Sequence, residues 1–229
     1  MANSFQNKQE SPELVKIAEL AENIIYRLPG CADVVVRKVI QEVYREFCRE
    51  TKCLTADRFL EIDDNRAEYP VSAMYHGVVG EIREVVIEHI RLMRDRDYRV
   101  VTGRETVVVL ADRYVCFPHN ECPEGAHPAR HRIHVAEALM HRGMRRMRIW
   151  ATEYPKMNSE LAPAWFIEKH GDAIVSGVLS RLCAMSGRPW ANQQIAADER
   201  IRYENFKSEA RMFEEVPPGG RFIDTSMVL

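Results

Sequence analysis

The densest run of chemistry-bearing side chains is CFPHNECPEGAHPARHRIH, which holds Cys116, His119, Cys122, His127, His131 and His134. Thiolate and imidazole are zinc ligands, and two-residue gaps let neighbours converge on one ion, so Cys116, His119, Cys122 and His127 are the candidate metal ligands. The order Cys-x2-His-x2-Cys matches no strong zinc pattern, and the competing reading is a His-rich polar loop with Cys116 packed at a strand end. The same region is basic. Arg130, Arg132, Arg142, Arg145, Arg146 and Arg148 surround only Glu137, an arrangement suited to phosphates, to an acidic protein surface, or simply to solvent.

Catalytic signatures are missing. There is no Gly-x-Ser-x-Gly elbow, no Walker-type loop and no dinucleotide glycine fingerprint; Gly77 and Gly80 in HGVVGE lack the third glycine and the strand–helix setting. Asp63 and Asp64 are adjacent acids in a polar turn, where a surface role outweighs acid–base work. Trp150, Trp165 and Trp190 are expected as core or interface anchors. The expectation is a protein that is not an enzyme and takes no cofactor.

The elements that would position any site divide sharply by period. From Glu160 to Phe213 two helical patterns meet at SGRPWAN (186–192). In the first, Phe166, His170, Ala173, Ile174, Gly177, Val178, Leu182 and Met185 recur at offsets of three and four, one buried stripe. In the second, Ile195, Arg202, Phe206, Ala210 and Phe213 repeat the period more weakly. Pro163 suits a first helical turn, Gly187 a left-handed stop, and Pro189 forbids continuation. Near the other end, Ser11-Pro12-Glu13 reads as a helix start, followed by a stripe from Leu14 through Ile17, Ala21 and Ile24 to Leu28. Pro29-Gly30 stops it. A further helix has Val35, Val36, Val39, Ile40, Val43 and Phe47 inward and Arg37, Lys38, Glu42, Arg45, Glu46 and Arg49 outward.

Between these pairs the composition turns to Val, Ile and Tyr. Strands are expected at 59–63, 82–93, 98–110, 114–117 and 147–154, with Arg94–Asp97 and Ala111–Arg113 as hairpin connections. Residues 133–143 fit either a short helix or a strand plus loop. The predicted class is α+β: a four-helix bundle-like core from the terminal helix pairs (11–54 and 158–213), an inserted antiparallel β-rich section (55–157), a loose N-terminus (1–10) and an extended tail (214–229). The tail, RFIDTSMVL after VPPGG, is partly apolar and is expected either to fold back or to dock on another chain.

Bulk properties bound the rest. A formal net charge of -2 gives no global drive toward nucleic acid. No run is long and apolar enough to span a bilayer, and MANSFQNKQESPEL lacks the features of a secretion signal, so a cytosol-like compartment is expected. The six cysteines are scattered and read as free thiols, with Cys48, Cys53 and Cys183 as small hydrophobes. Acidic Glu61–Asp64 and Asp198-Glu199 would complement the basic region across a subunit contact.

Three stretches together resemble the head-to-tail adaptor (connector or neck) proteins of tailed bacteriophages. LPGCADVVVRKVIQEVYREFCRETKCL (28–54) resembles their opening turn and helix. MRIWATEY (147–154), then Pro155 and Pro163, is similar to their return into the second helix pair. SRLCAMSGRPWANQQIAADERIRYENFKSEAR (180–211) looks like their Leu-x-x-Met-x-Gly-x-Pro-Trp hinge and closing helix. The likeness covers about half the chain, and the stretch 120–146 departs from it by its length.

The resemblance implies a virion structural protein, made in the host cytoplasm and located in the neck between capsid and tail. It implies a homo-oligomeric ring, typically of twelve copies, beneath the portal protein. It also implies contact with a downstream tail or neck protein, and genomic DNA passing through the channel without sequence-specific binding, with no membrane partner. On that pattern Arg221, Phe222, Ile223 and Leu229 are the portal-binding residues; Arg142, Arg145 and Arg146, from the basic region, are the candidate subunit or DNA contacts. The Trp190 hinge is expected to organise the helices rather than touch the portal. The competing classes are another neck component (tail terminator or tail-tube protein) and a zinc-binding module using the Cys116–His134 loop.

Overall fold

The computed structural model describes residues 13–62, 67–75, 77–88, 90–95, 97–102, 105–110, 112–115, 131–134 and 146–213. In chain order the elements open with β1 (Leu14–Lys16), a 3-10 turn (Ile17–Glu19), α1 (Leu20–Arg27) and α2 (Asp33–Thr51). Strands follow: β2 (Thr55–Glu61), β3 (Glu68–Val71), β4 (Val78–Ile87), β5 (Ile90–Arg91), β6 (Tyr98–Thr102) and β7 (Thr106–Leu110). Then come β8 (Asp112–Val115), β9 (His131–His134), β10 (Arg146–Tyr154), β11 (Leu161–Pro163), α3 (Ala164–Cys183) and α4 (Gln193–Phe213). The fold is mixed α+β with antiparallel sheets. Its described residues form two compact units, one from 13–53 and 157–213, the other from 54–156.

In the helical unit α1 packs on α2 and α3, α2 packs on α3 and α4, and α3 packs on α4. The stripe on α3 is buried as its spacing predicts: Phe166, Ile174, Val178 and Leu182 have no exposed surface. Each such side chain contributes roughly 1.5–3 kcal/mol relative to leaving it in water. Their partners on α2 are Val36, Ile40, Val43 and Phe47, all likewise buried. Two helix starts depart from expectation. Leu14–Lys16 is extended and pairs antiparallel with Leu161–Pro163, so the first helix begins at Leu20 and the second pair at Ala164. Strand pairing between distant segments here overrides the Ser-Pro-Glu start signal, whereas Pro163 does mark the start of α3, at the position immediately before Ala164.

The second unit holds a four-stranded sheet, order β2-β10-β4-β5, and a three-stranded sheet, order β3-β7-β6. Their inward residues share one core: Ile82, Val85 and Ile87 of β4, Met147 and Ile149 of β10, Tyr69 and Val71 of β3, Val108 and Leu110 of β7. Strand β10 is the spine of the first sheet. Its pairing with β4 shifts register between Trp150 and Ala151 and again before Glu153, which bends the strand locally. Pro70 lies in β3, at the edge of its sheet, where the missing N–H costs no ladder bond.

The hairpin expectations fail. Arg94–Asp97 connects β5 of one sheet to β6 of the other, because Met93 N–H donates to the Asp97 carboxylate (2.9 Å) and turns the chain out of its first sheet. Asp112 and Arg113 lie within β8, which pairs with β9 rather than β7. Residues 131–134 form β9, and the rest of 133–143 lies outside the described residues.

Candidate assembly surfaces

The α3–α4 hairpin is set by its turn. Gly187 has φ +75°, a left-handed conformation that suits glycine, although it sits four residues beyond the end of α3. Asn192 then begins α4: its Oδ1 accepts from the N–H groups of Gln194 and Ile195 at 3.1 Å each, satisfying two otherwise orphaned donors. Its own N–H donates to the Cys183 carbonyl at 2.9 Å, closing the turn onto α3. Trp190 is half-buried in this turn, and the Arg188 guanidinium lies 5.9 Å from its ring centre.

An aromatic cluster joins three helices. Tyr44 and Phe47 of α2 meet Phe166 of α3 at 4.9 and 6.2 Å, His170 lies 5.3 Å from Phe47, and Tyr203 of α4 lies 6.0 Å from Phe47. Burial among these rings pushes His170 down to about 4, with Lys169 adding a smaller effect, so the imidazole is neutral at physiological pH. It packs as a core side chain.

The inward face of α4 is rotated from the face its apolar residues suggest. Ala196, Glu199, Tyr203, Lys207 and Ala210 are buried, whereas Ile195, Ile201 and Arg202 are exposed; Met185, past α3, is exposed as well. Ion pairs explain the rotation. Lys207 Nζ lies 2.9 Å from Glu50 and 2.7 Å from Glu204, and 4.8 Å from the Tyr203 ring centre. Arg211 donates to the Glu50 carbonyl at 3.1 Å. Glu199 faces Arg27 at 3.5 Å within the same chain and is buried, so it is not an acid available to a neighbouring subunit.

On its outer side α2 borders a groove of about 860 Å3, lined by Lys38, Glu42, Arg45 and Arg49 and by Met157 and Asn158. Glu46 and Arg181 form an ion pair at its end. A second groove of about 670 Å3 continues beyond that pair, between Ser180 of α3 with Ala184 just past its end, and Arg200 and Ile201 of α4.

The β unit contains a buried carboxylate that shapes a loop. Glu153 is 1% exposed and accepts from the N–H groups of Met74 (2.5 Å) and Tyr75 (2.9 Å) and from Arg58 (2.8 Å). Burial raises the pKa of its carboxyl and lowers that of the Arg58 guanidinium, so both partners bear a desolvation cost that the bonds offset only in part. Thr152 Oγ1 accepts from Glu81 N–H at 2.8 Å. Gly80 lets the β4 backbone come against Tyr154 and Thr152 where a side chain would collide. This is a clamp for the 72–77 connection, and nothing in the sequence marked Glu153; an acid inside an alternating strand was the available signal.

The sequence-derived site residues divide as follows. Cys116, His119, Cys122 and His127, and the tail residues Arg221, Phe222, Ile223 and Leu229, lie outside the described residues, as do Arg142 and Arg145. His131 and His134 are in β9. Arg146 opens β10, exposed, with its N–H donating to Glu88 at 3.1 Å. Arg148, counted in the basic region, is neutralised within its own sheet by a two-pronged bond to Asp57 at 2.9 and 2.8 Å. Asp63 and Asp64 also lie outside the described residues.

Among the described residues no cluster of three metal-ligating side chains is assembled, and no helix is long and apolar enough to cross a membrane. Cys31, Cys48, Cys53 and Cys183 are buried and form no disulfide; burial raises the pKa of the Cys31 and Cys183 thiols, which disfavours the thiolate. No protein-family model matches the chain, and no curated protein matches it.

Proposed function

We propose that this chain is a non-enzymatic virion structural protein, a head-to-tail adaptor that forms a ring under the portal and joins capsid to tail around the DNA channel. The observation that carries this reading is the packing of α1 and α2 against α3 and α4, from opposite ends of the sequence, with the β unit inserted between them. That is the order the resemblance implies, with the four helices acting as a bundle-like core. In this account the ring has twelve copies, the portal and a downstream neck protein are its partners, and DNA passes through without sequence-specific contacts.

The tail is assigned the portal contact, through Arg221, Phe222, Ile223 and Leu229. Truncation after Gly220 tests this. The shortened chain keeps the circular dichroism and unfolding transition of the full chain but no longer co-sediments with portal rings. Undiminished portal binding by the truncated chain refutes the assignment.

A further inference from the structure

Two surfaces of the helical unit lack intrachain partners among the described residues, and they match each other. The first is the outward stripe of α1. Glu19, Glu22 and Tyr26 recur at offsets of three and four and therefore share a face. Tyr26 is 90% exposed, a large amphipathic ring standing clear of its own fold. Arg37, already bonded to Asp33 at 2.6 Å, offsets only part of the acidity around Glu22 and Glu160.

The second surface is the α2 groove. Lys38, Arg45 and Arg49 lie along one side of the helix at offsets of seven and four, and no acid is bonded to them among the described residues. Arg45 Nε is buried there with no hydrogen-bond partner. The nearby acids Glu46 and Glu50 are already held by Arg181 and by Lys207 and Arg211. Met157, 70% exposed, gives the groove an apolar wall.

We propose that these are the two halves of a head-to-tail contact between copies of this chain. Tyr26 of one copy enters the α2 groove of the next against Met157, and Glu19 and Glu22 face Lys38, Arg45 and Arg49. Tyrosine suits this role because its ring fills an apolar slot while its hydroxyl stays among polar groups. The occupant is the α1 stripe of a second copy, whose two acids and exposed ring match the cations of the groove and its Met157 wall. Two different patches meeting in this way form a heterologous interface, which generates a ring when the rotation closes. The inference deepens the adaptor reading and rests on it for ring closure.

The test uses the full chain with the charges on each face reversed. One variant carries Glu19→Lys and Glu22→Lys, the other Lys38→Glu and Arg49→Glu; all four positions are exposed, and circular dichroism verifies folding. In sedimentation velocity over a concentration series the wild type self-associates, and either variant alone associates about tenfold more weakly or less. An equimolar mixture of the two regains association, because each reversed stripe then meets an oppositely reversed groove. Tyr26→Ala weakens association without altering its charge. A wild type that stays monomeric throughout, reversals without effect, or a mixture that fails to recover would each overturn the contact. Variants that still form rings on the portal overturn this contact but leave the adaptor reading intact; undisturbed self-association by a chain that ignores the portal does the opposite.

Discussion

Two residues in the helical core make opposite demands on the chain. Gly177 sits where α3, α2 and α4 converge, and a Cβ there would lie 2.6 Å from Val43 Cγ1 and 2.8 Å from Tyr203 Cε2. Helix propensity alone would make Gly177→Ala stabilising by about 1 kcal/mol, but overpacking of this kind costs about 1–3 kcal/mol. The substitution is expected to lower the denaturant midpoint, and adding Val43→Ala should recover part of the loss. A rise in midpoint for Gly177→Ala alone would show that the crossing is looser than described. His170 acts through protons. Its native pKa of about 4 lies below the unfolded value of 6.5, so between these pH values the unfolded chain binds a proton that the folded chain refuses. Its contribution is complete above the unfolded value and is lost as pH falls through that window, by about 3 kcal/mol in all. Urea unfolding of the wild type from about pH 7 to about pH 4 should lose this much more stability than His170→Leu does. Equal pH slopes for the two proteins would refute the neutral, buried imidazole.

Among the elements, the β10 strand ties the 72–77 connection to the sheet through Glu153. Glu153→Ala strands Arg58 in a buried setting and leaves two N–H groups without an acceptor, a loss of about 3–5 kcal/mol. Hydrogen exchange at Met74 and Tyr75 should speed up more than at β10 amides; uniform protection would show that the clamp is dispensable. How far these elements could be read from the sequence depended on whether local signals met a distant competitor. The α3 stripe was legible because its residues are apolar and regularly spaced. The α4 face was misread because its inward positions are Glu199, Tyr203 and Lys207, whose burial depends on Arg27 and Glu50 far away in sequence. The two helix starts were placed early for a similar reason, since β1 and β11 gain their ladder only from each other. The Glu153 clamp was invisible because its partners lie across a sheet whose register no local pattern specifies.

For the whole molecule, the α+β class and the division into terminal helices and an inserted β section followed from the change of period along the chain. Assembly, as proposed, is less legible: it is assigned to Tyr26 and the cations lining the α2 groove, and to the tail residues 221–229, which lie outside the described residues. The exposure that singles out Tyr26 and the groove cations among other polar helix positions is not visible before the chain is folded. As proposed, this chain is a ring-forming adaptor seated on a portal. Electron microscopy of the purified chain mixed with the portal from the same genome tests it most directly. A closed ring of additional density coaxial with the portal is expected, with twelvefold averaging resolving helices α1–α4 in each copy. Portal particles without added density, at protein concentrations where the chain is in large excess, would contradict it.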